Sequence, residues 1–148
     1  MQKLSLLRRL LRELFAKQKF VALATDNRGK PYNCLVAFAA TDDLGNLLFT
    51  TSRDTSKYHN IVAESRVAIL VDNRSNKSSD FRKAIAVTTT GRASEAKGKE
   101  RERLLDIYLD KHPELVDFAN SSENALVKVE ITNHEISTFD NVRTFRPL

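Results

Sequence analysis

The feature that most limits how this chain can fold is the shortness of the links between its first apolar runs. "FVALAT" (20–25) and "PYNCLVAFAA" (31–40) are separated only by "DNRGK", a turn centred on Gly29. "TDDLGN" then leads into "LLFTT" (47–51). Parallel strands need a crossover of a dozen or more residues, so runs this closely linked pair as antiparallel hairpins. "RVAILVD" (66–72) reads as a further apolar strand and "AIAVTTTGRAS" (84–94) as an alternating one. In "ALVKVEIT" (125–132), Val127, Val129 and Ile131 alternate with Lys128, Glu130 and Thr132, the pattern of a half-buried strand, and "EISTFD" predicts a last strand. Six or more strands joined mainly by hairpins predict a closed or nearly closed antiparallel barrel.

Helices flank this β framework, giving a mainly β protein of the α+β class. Leu4, Leu7, Leu11 and Leu14 recur at three- and four-residue steps, with Arg8, Arg9, Arg12 and Glu13 between them, which predicts an amphipathic helix at about 3–18. A second helix is predicted from Thr55 to Ala63, and a third in "KERERLLDIYLDKH", ended by Pro113 and followed by the short helical piece "PELVDFA". The polar stretch "NRSNKSSDFRK" (73–83) predicts a long loop, of a length that often carries function.

With 148 residues, 41% hydrophobic and 29% charged, the chain has the composition of a globular protein, expected to form a single domain over 1–148. No apolar run approaches the roughly 20 residues of a membrane span. The N-terminal leucines are interleaved with arginines and do not form the apolar centre of a secretory signal, so a cytoplasmic location is expected. The single cysteine, Cys34, excludes an intramolecular disulfide, and His59, His112 and His134 lack metal-ligand spacing. The net charge of +5 is spread from Lys3 to Arg146 without a zinc-finger or RNA-binding signature. A nucleic-acid partner is therefore not expected, whereas a small anionic ligand suits the charge.

The densest chemical signal is "FTTSRDTSKYHNI" (49–61), where a strand hands over to a helix. Thr50, Thr51, Ser52, Thr55 and Ser56 bring hydroxyls, Lys57 a cation in the first helical turn, and Arg53 a second cation. A helix start offers unpaired N–H groups and a positive dipole end, where an anion is stabilised. Local chemistry alone fits both a phosphate cradle and a capped, solvated turn.

The order and spacing of "LAT", "FTTSRDTSK", "RVAIL" and "VTTTGRA" over roughly residues 18–96 resemble the pyridoxamine 5'-phosphate oxidase-like family of flavin-binding split β-barrels. The resemblance implies an antiparallel split barrel and a homodimer with FMN at the subunit interface. It also implies that the phosphate or ribityl chain is held by Thr50, Thr51, Ser56 and Lys57, in a loop that includes Ser52 and Thr55. Cys34, Leu35 and Val36 match the strand beside the isoalloxazine ring, and Arg82 and Lys83 are placed to reach the flavin of the partner subunit. Where the vitamin B6 oxidase of this family has Arg, Lys and Gln, this chain has Cys34, Ala39 and Ala86. The C-terminal Arg-Leu-His motif of that enzyme has no counterpart here. The implied function is thus an FMN-dependent oxidoreductase of another substrate. The alternatives are a non-catalytic flavin carrier, store or sensor, and a deazaflavin- or haem-binding relative.

Overall fold

The computed structural model describes residues 2–147; Met1 and Leu148, which the expected domain includes, lie outside the described residues. Helix α1 (Gln2–Lys17) leads into strands β1 (Phe20–Asn27), β2 (Lys30–Ala40) and β3 (Asn46–Ser52). Helix α2 (Ser56–Ala63), strand β4 (Arg66–Asp72), the short helix α3 (Asp80–Lys83) and strand β5 (Ala86–Glu95) follow. Helix α4 (Gly98–Lys111), a 3-10 turn (Pro113–Leu115), helix α5 (Val116–Asn120) and strands β6 (Asn124–Ser137) and β7 (Val142–Phe145) complete the chain.

The strands are ordered β3-β2-β1-β4-β5-β6-β7, and an additional β3–β6 pairing closes the first six into an antiparallel barrel. Closure is made possible by the length of β6. One of its edges pairs with β5 from Val127 to Ser137, while the other pairs first with β3, from Asn124↔Ser52 to Glu130↔Asn46, and then with β7, from His134↔Phe145 to Ser137↔Val142.

The predicted last strand in "EISTFD" is corrected by this arrangement. Its first residues continue β6, because nothing between Thr132 and Glu135 turns the chain, and the last strand is Val142–Phe145. The alternation of β6 does change phase there. Val127 and Val129 point into the core, and beyond the break His134 and Ile136 do. The register shifts between Thr90 and Gly91, which pair with Asn133 and Ile131, so Thr132 is the extra residue of a bulge and donates its Oγ1 to Thr90 O at 3.0 Å. Gly91 permits the close approach: a Cβ at that position would lie 2.2 Å from Glu130 O.

The barrel interior is filled by Val21, Leu23, Val36, Phe38, Phe49, Val67, Ile69, Val87, Val127 and Val129. One end is plugged by α1, whose Leu11, Leu14 and Phe15 join this core, with Phe15 edge-on to Phe38 at 5.7 Å. The helix runs 2–17, one residue earlier at each end than expected. Lys111 fixes its C-terminus by donating from Nζ to Phe15 O and Gln18 O, both at 2.7 Å, and lies 3.8 Å over the Phe38 ring. Burial draws the pKa of Lys111 down to about 8. A smaller core outside the barrel packs Leu104, Leu105 and Tyr108 of α4 and Ala119 of α5 against Ala39, Leu48 and Leu126.

His134 is fully buried, with Nδ1 2.8 Å from Thr89 Oγ1 and Nε2 3.2 Å from Leu44 O. The neutral Nε2–H tautomer satisfies both bonds, and burial lowers the pKa. Two outcomes follow for stability. Gly91→Ala is expected to cost about 2–3 kcal/mol in urea denaturation, because a backbone carbonyl cannot move aside for the new methyl group. As pH falls below about 6.5, the unfolded chain takes up a proton at His134 that the folded chain refuses, so stability declines by up to about 1.4 kcal/mol per pH unit from this group. Denaturation midpoints between pH 7.5 and 5.5 should fall more steeply for the wild type than for His134→Gln.

Candidate functional site

β2 and β3 share only three residue pairs, Phe38↔Phe49, Ala39↔Leu48 and Ala40↔Leu47. Beyond them the strands part. β2 keeps β1, down to Asn27↔Lys30, and β3 keeps β6, to Ser52↔Asn124. In an antiparallel strand the N–H and C=O of one residue point to the same side, so Leu35 and Ala37 direct theirs into the split. Tyr108 of α4 bridges it. Its hydroxyl donates to Ala37 O at 3.2 Å and accepts from Thr50 Oγ1 at 3.1 Å. Burial raises the pKa of this phenol, so it stays protonated at neutral pH.

The split opens into a cleft of about 380 Å³ lined by Leu35, Val36, Ala37, Thr50, Thr51, Ser52, Thr55, Lys57, Tyr108, Leu115 and Phe118. Its two ends differ in chemistry. At the polar end, Thr55 is the N-cap of α2 and accepts from Tyr58 N at 3.3 Å. Its hydroxyl lies 2.9 Å from Thr51 Oγ1 and donates to Ser52 O at 2.9 Å, while Ser52 Oγ accepts from Asp54 N at 3.2 Å. Lys57 is half-buried, and its ammonium has no hydrogen bond or ion pair among the described residues. At the other end, Leu35 (73% exposed) and Phe118 (44%) face solvent from β2 and α5.

Of the residues singled out in the sequence, Leu35, Val36, Thr50, Thr51, Ser52, Thr55 and Lys57 thus meet in one cleft. Ser56 is exposed beside it as the first residue of α2. Cys34 turns its side chain toward the barrel core, with Sγ 3.8 Å from Leu23 O. Burial raises its pKa, and the nearby Lys57 charge partly offsets the rise. Arg82 and Lys83 are exposed on α3 and do not line the cleft of their own chain. Arg53, expected as a second cation for an anion, is instead committed to Glu95 through Nε at 3.2 Å and Nη2 at 2.7 Å.

Sequence reasoning missed Tyr108, Leu115 and Phe118. An aromatic on a helix reads as packing, and only the tertiary fold brings these three side chains to the split. The one signal was the short helical "PELVDFA", whose Phe118 and Val116 remain exposed.

Known structures share this architecture. A haem-binding protein from Mycobacterium smegmatis superposes with a TM-score of 0.83 at 17% identity, over 94% of this chain and 57% of that one. This chain therefore spans little more than half of that protein. HutZ, the haem storage protein from Vibrio cholerae, gives 0.69 at 14% identity over 94% and 93% of the two chains. A FAD-binding protein from Mesorhizobium loti gives 0.67 at 18% over 84% and 89%. At such identities the likeness is one of fold. No curated protein matches the sequence at a significant level. The family model described as pyridoxamine 5'-phosphate oxidase matches residues 7–139, so the chain belongs to the pyridoxamine 5'-phosphate oxidase-like family of split barrels.

Proposed function

We propose that the cleft binds FMN and that the protein is a homodimeric flavoprotein, an oxidoreductase on a substrate other than vitamin B6. The observation that carries this reading is the two-ended cleft. Hydroxyls and an unpaired ammonium gather at the start of α2, as a phosphate requires, and an apolar wall lies opposite, as a ring system requires. Lys57 and the Ser56 and Lys57 N–H groups at the start of α2 hold the phosphate, with Ser52 and Ser56 as hydroxyl donors, while the Thr55 hydroxyl, committed to Ser52 O, shapes the loop. Thr50 and Thr51 lie along the path to the split, where the backbone edge of Leu35 meets the ring. Leu35, Leu115 and Phe118 shield that ring from water. Bound flavin supplies one- or two-electron transfer, while the protein fixes its position and surroundings.

The outer face of the barrel supports the dimer. Leu35, Ala22 and Leu70 lie side by side across β2, β1 and β4, with Phe20, Ala24 and Ala68 next to them. Phe20 (61%), Leu35 and Leu70 (40%) are exposed, an apolar sheet surface of the kind that a second subunit covers. Leu35 belongs to both the face and the cleft, which supports a ligand at the edge of the interface. Arg82 and Lys83 would then act on the partner's cofactor.

Haem is the rival ligand, because two structural neighbours carry it in their names. The buried imidazoles do not favour it: Nε2 of His112 and of His134 face backbone carbonyls, at 2.7 Å from Phe38 O and 3.2 Å from Leu44 O. The absorption spectrum of the purified protein decides. Flavin bands are expected, and a Soret band would overturn the assignment.

Lys57→Ala should weaken FMN binding by about 10- to 100-fold, the loss of one charge-assisted hydrogen bond of about 1.5–3 kcal/mol, and leave riboflavin binding unchanged. Fluorescence titration of the apoprotein with both flavins measures this. Light scattering should find a dimer at micromolar concentration, and Leu70→Asp should shift it to monomer and weaken FMN binding as well.

A further inference from the structure

The hydroxyl loop is held by groups that stand outside the cleft. Arg53 lies between Ser52 and Thr55, yet its guanidinium turns away from both and meets the Glu95 carboxylate with two bonds, at 3.2 and 2.7 Å. The third guanidinium nitrogen, Nη1, donates to Ser122 O at 2.7 Å, and the Arg53 backbone N–H donates to Glu123 O at 3.3 Å. Tyr58, on the first turn of α2, donates its hydroxyl to Glu95 Oε1 at 2.7 Å. Glu95 is the last residue of β5, and its side chain is only 15% exposed. The Arg53 bonds hold its pKa below the usual carboxylate range, so it is ionised at neutral pH. One carboxylate thus joins the barrel wall, the loop and the helix.

The clamp also reaches the far wall. Ser122 sits in the turn between α5 and β6, and that turn is tied to α5 by Asn124 Nδ2 donating to Phe118 O at 2.9 Å. Arg101 of α4 donates to Ala119 O at 2.9 Å, fixing the same helix from its other side. The spacing between the hydroxyl end and Phe118 is therefore set through Arg53 and Glu95.

We propose that Glu95 is a positioning residue. It draws Arg53 and Tyr58 together so that the Ser52 hydroxyl, the Lys57 ammonium and the free N–H groups at the start of α2 converge on one phosphate, and it keeps Arg53 itself out of the site. This rests on the reading of the cleft as a phosphate site. A bidentate guanidinium–carboxylate pair suits the task because its planar geometry fixes orientation as well as distance.

The test compares Glu95→Ala and Arg53→Met with the wild type in two measurements. In the ligand-free protein, amide hydrogen exchange at residues 54–58 is expected to quicken about tenfold in both variants while β4 amides stay unchanged. Titration with FMN and riboflavin should then show the FMN dissociation constant raised about tenfold and that of riboflavin changed less than twofold, since only the phosphate depends on the loop. Unchanged exchange rates overturn the clamp whether or not FMN binds. Parallel weakening of both flavins overturns the positioning role, and tighter FMN binding by Glu95→Ala would make Arg53 a phosphate ligand held in reserve. A wild type that does not distinguish FMN from riboflavin overturns the phosphate reading, and the exchange rates then judge the clamp alone. Should Glu95→Ala fail to fold, Glu95→Gln, which keeps the shape without the charge, carries the same measurements.

Discussion

β2 and β3 separate after three residue pairs, and the rest of the site depends on that separation. Backbone N–H and C=O groups that lose a strand partner need another, because burying them unpaired is costly. Tyr108 supplies one by meeting Ala37 O and Thr50 Oγ1 together, so the split is propped open at a set width. The separation is sustainable only because β3 has a second neighbour. Its pairing with β6 continues through Ser52, carrying the hydroxyl-rich end of β3 outward without loss of its own ladder. Barrel closure and site formation are in this sense one event.

Elsewhere the fold resists deformation. The α1 plug, anchored by Lys111 at its last carbonyls, and the Thr132 bulge, seated against Gly91, fix the two regions where the barrel would otherwise be free to change register. The bulge turns His134 and Ile136 inward, and the buried hydrogen bonds of His134 with Thr89 and Leu44 tie β5 and the turn before β3 to the same point. A rigid frame of this kind lets a cleft between two diverging strands keep its shape.

Much of this was legible in the sequence, for identifiable reasons. The strands, the opening hairpins and the antiparallel barrel followed from apolar alternation and from links too short for crossovers. The hydroxyl cluster at 50–57 was visible because capping and phosphate binding use the same residue types. The end of β6 was misread because a bulge shifts the phase of alternation, and a phase shift looks like the start of a new element; the spacing of Ile131 and Ile136 was the trace it left. Arg53 read as a second cation beside the hydroxyls because its partner, Glu95, lies 42 residues away and meets it only in the folded barrel. The roles of Tyr108 and Phe118 were hidden for the same reason, since their contacts with the split are entirely tertiary.

The free edge of β2 has a consequence for the life of the protein before any ligand arrives. Unpaired strand edges invite strands from other chains, and most proteins cover or charge them. Ala37 O is met by Tyr108, but at Leu35 the edge is uncharged and the side chain beside it is apolar and exposed. A molecule seated in the cleft would therefore act as a cap as well as a cofactor. If a cofactor fills the cleft as proposed, chains made faster than they are filled would form the sticky fraction, and the yield of usable protein should follow the supply of that cofactor more closely than the rate of translation.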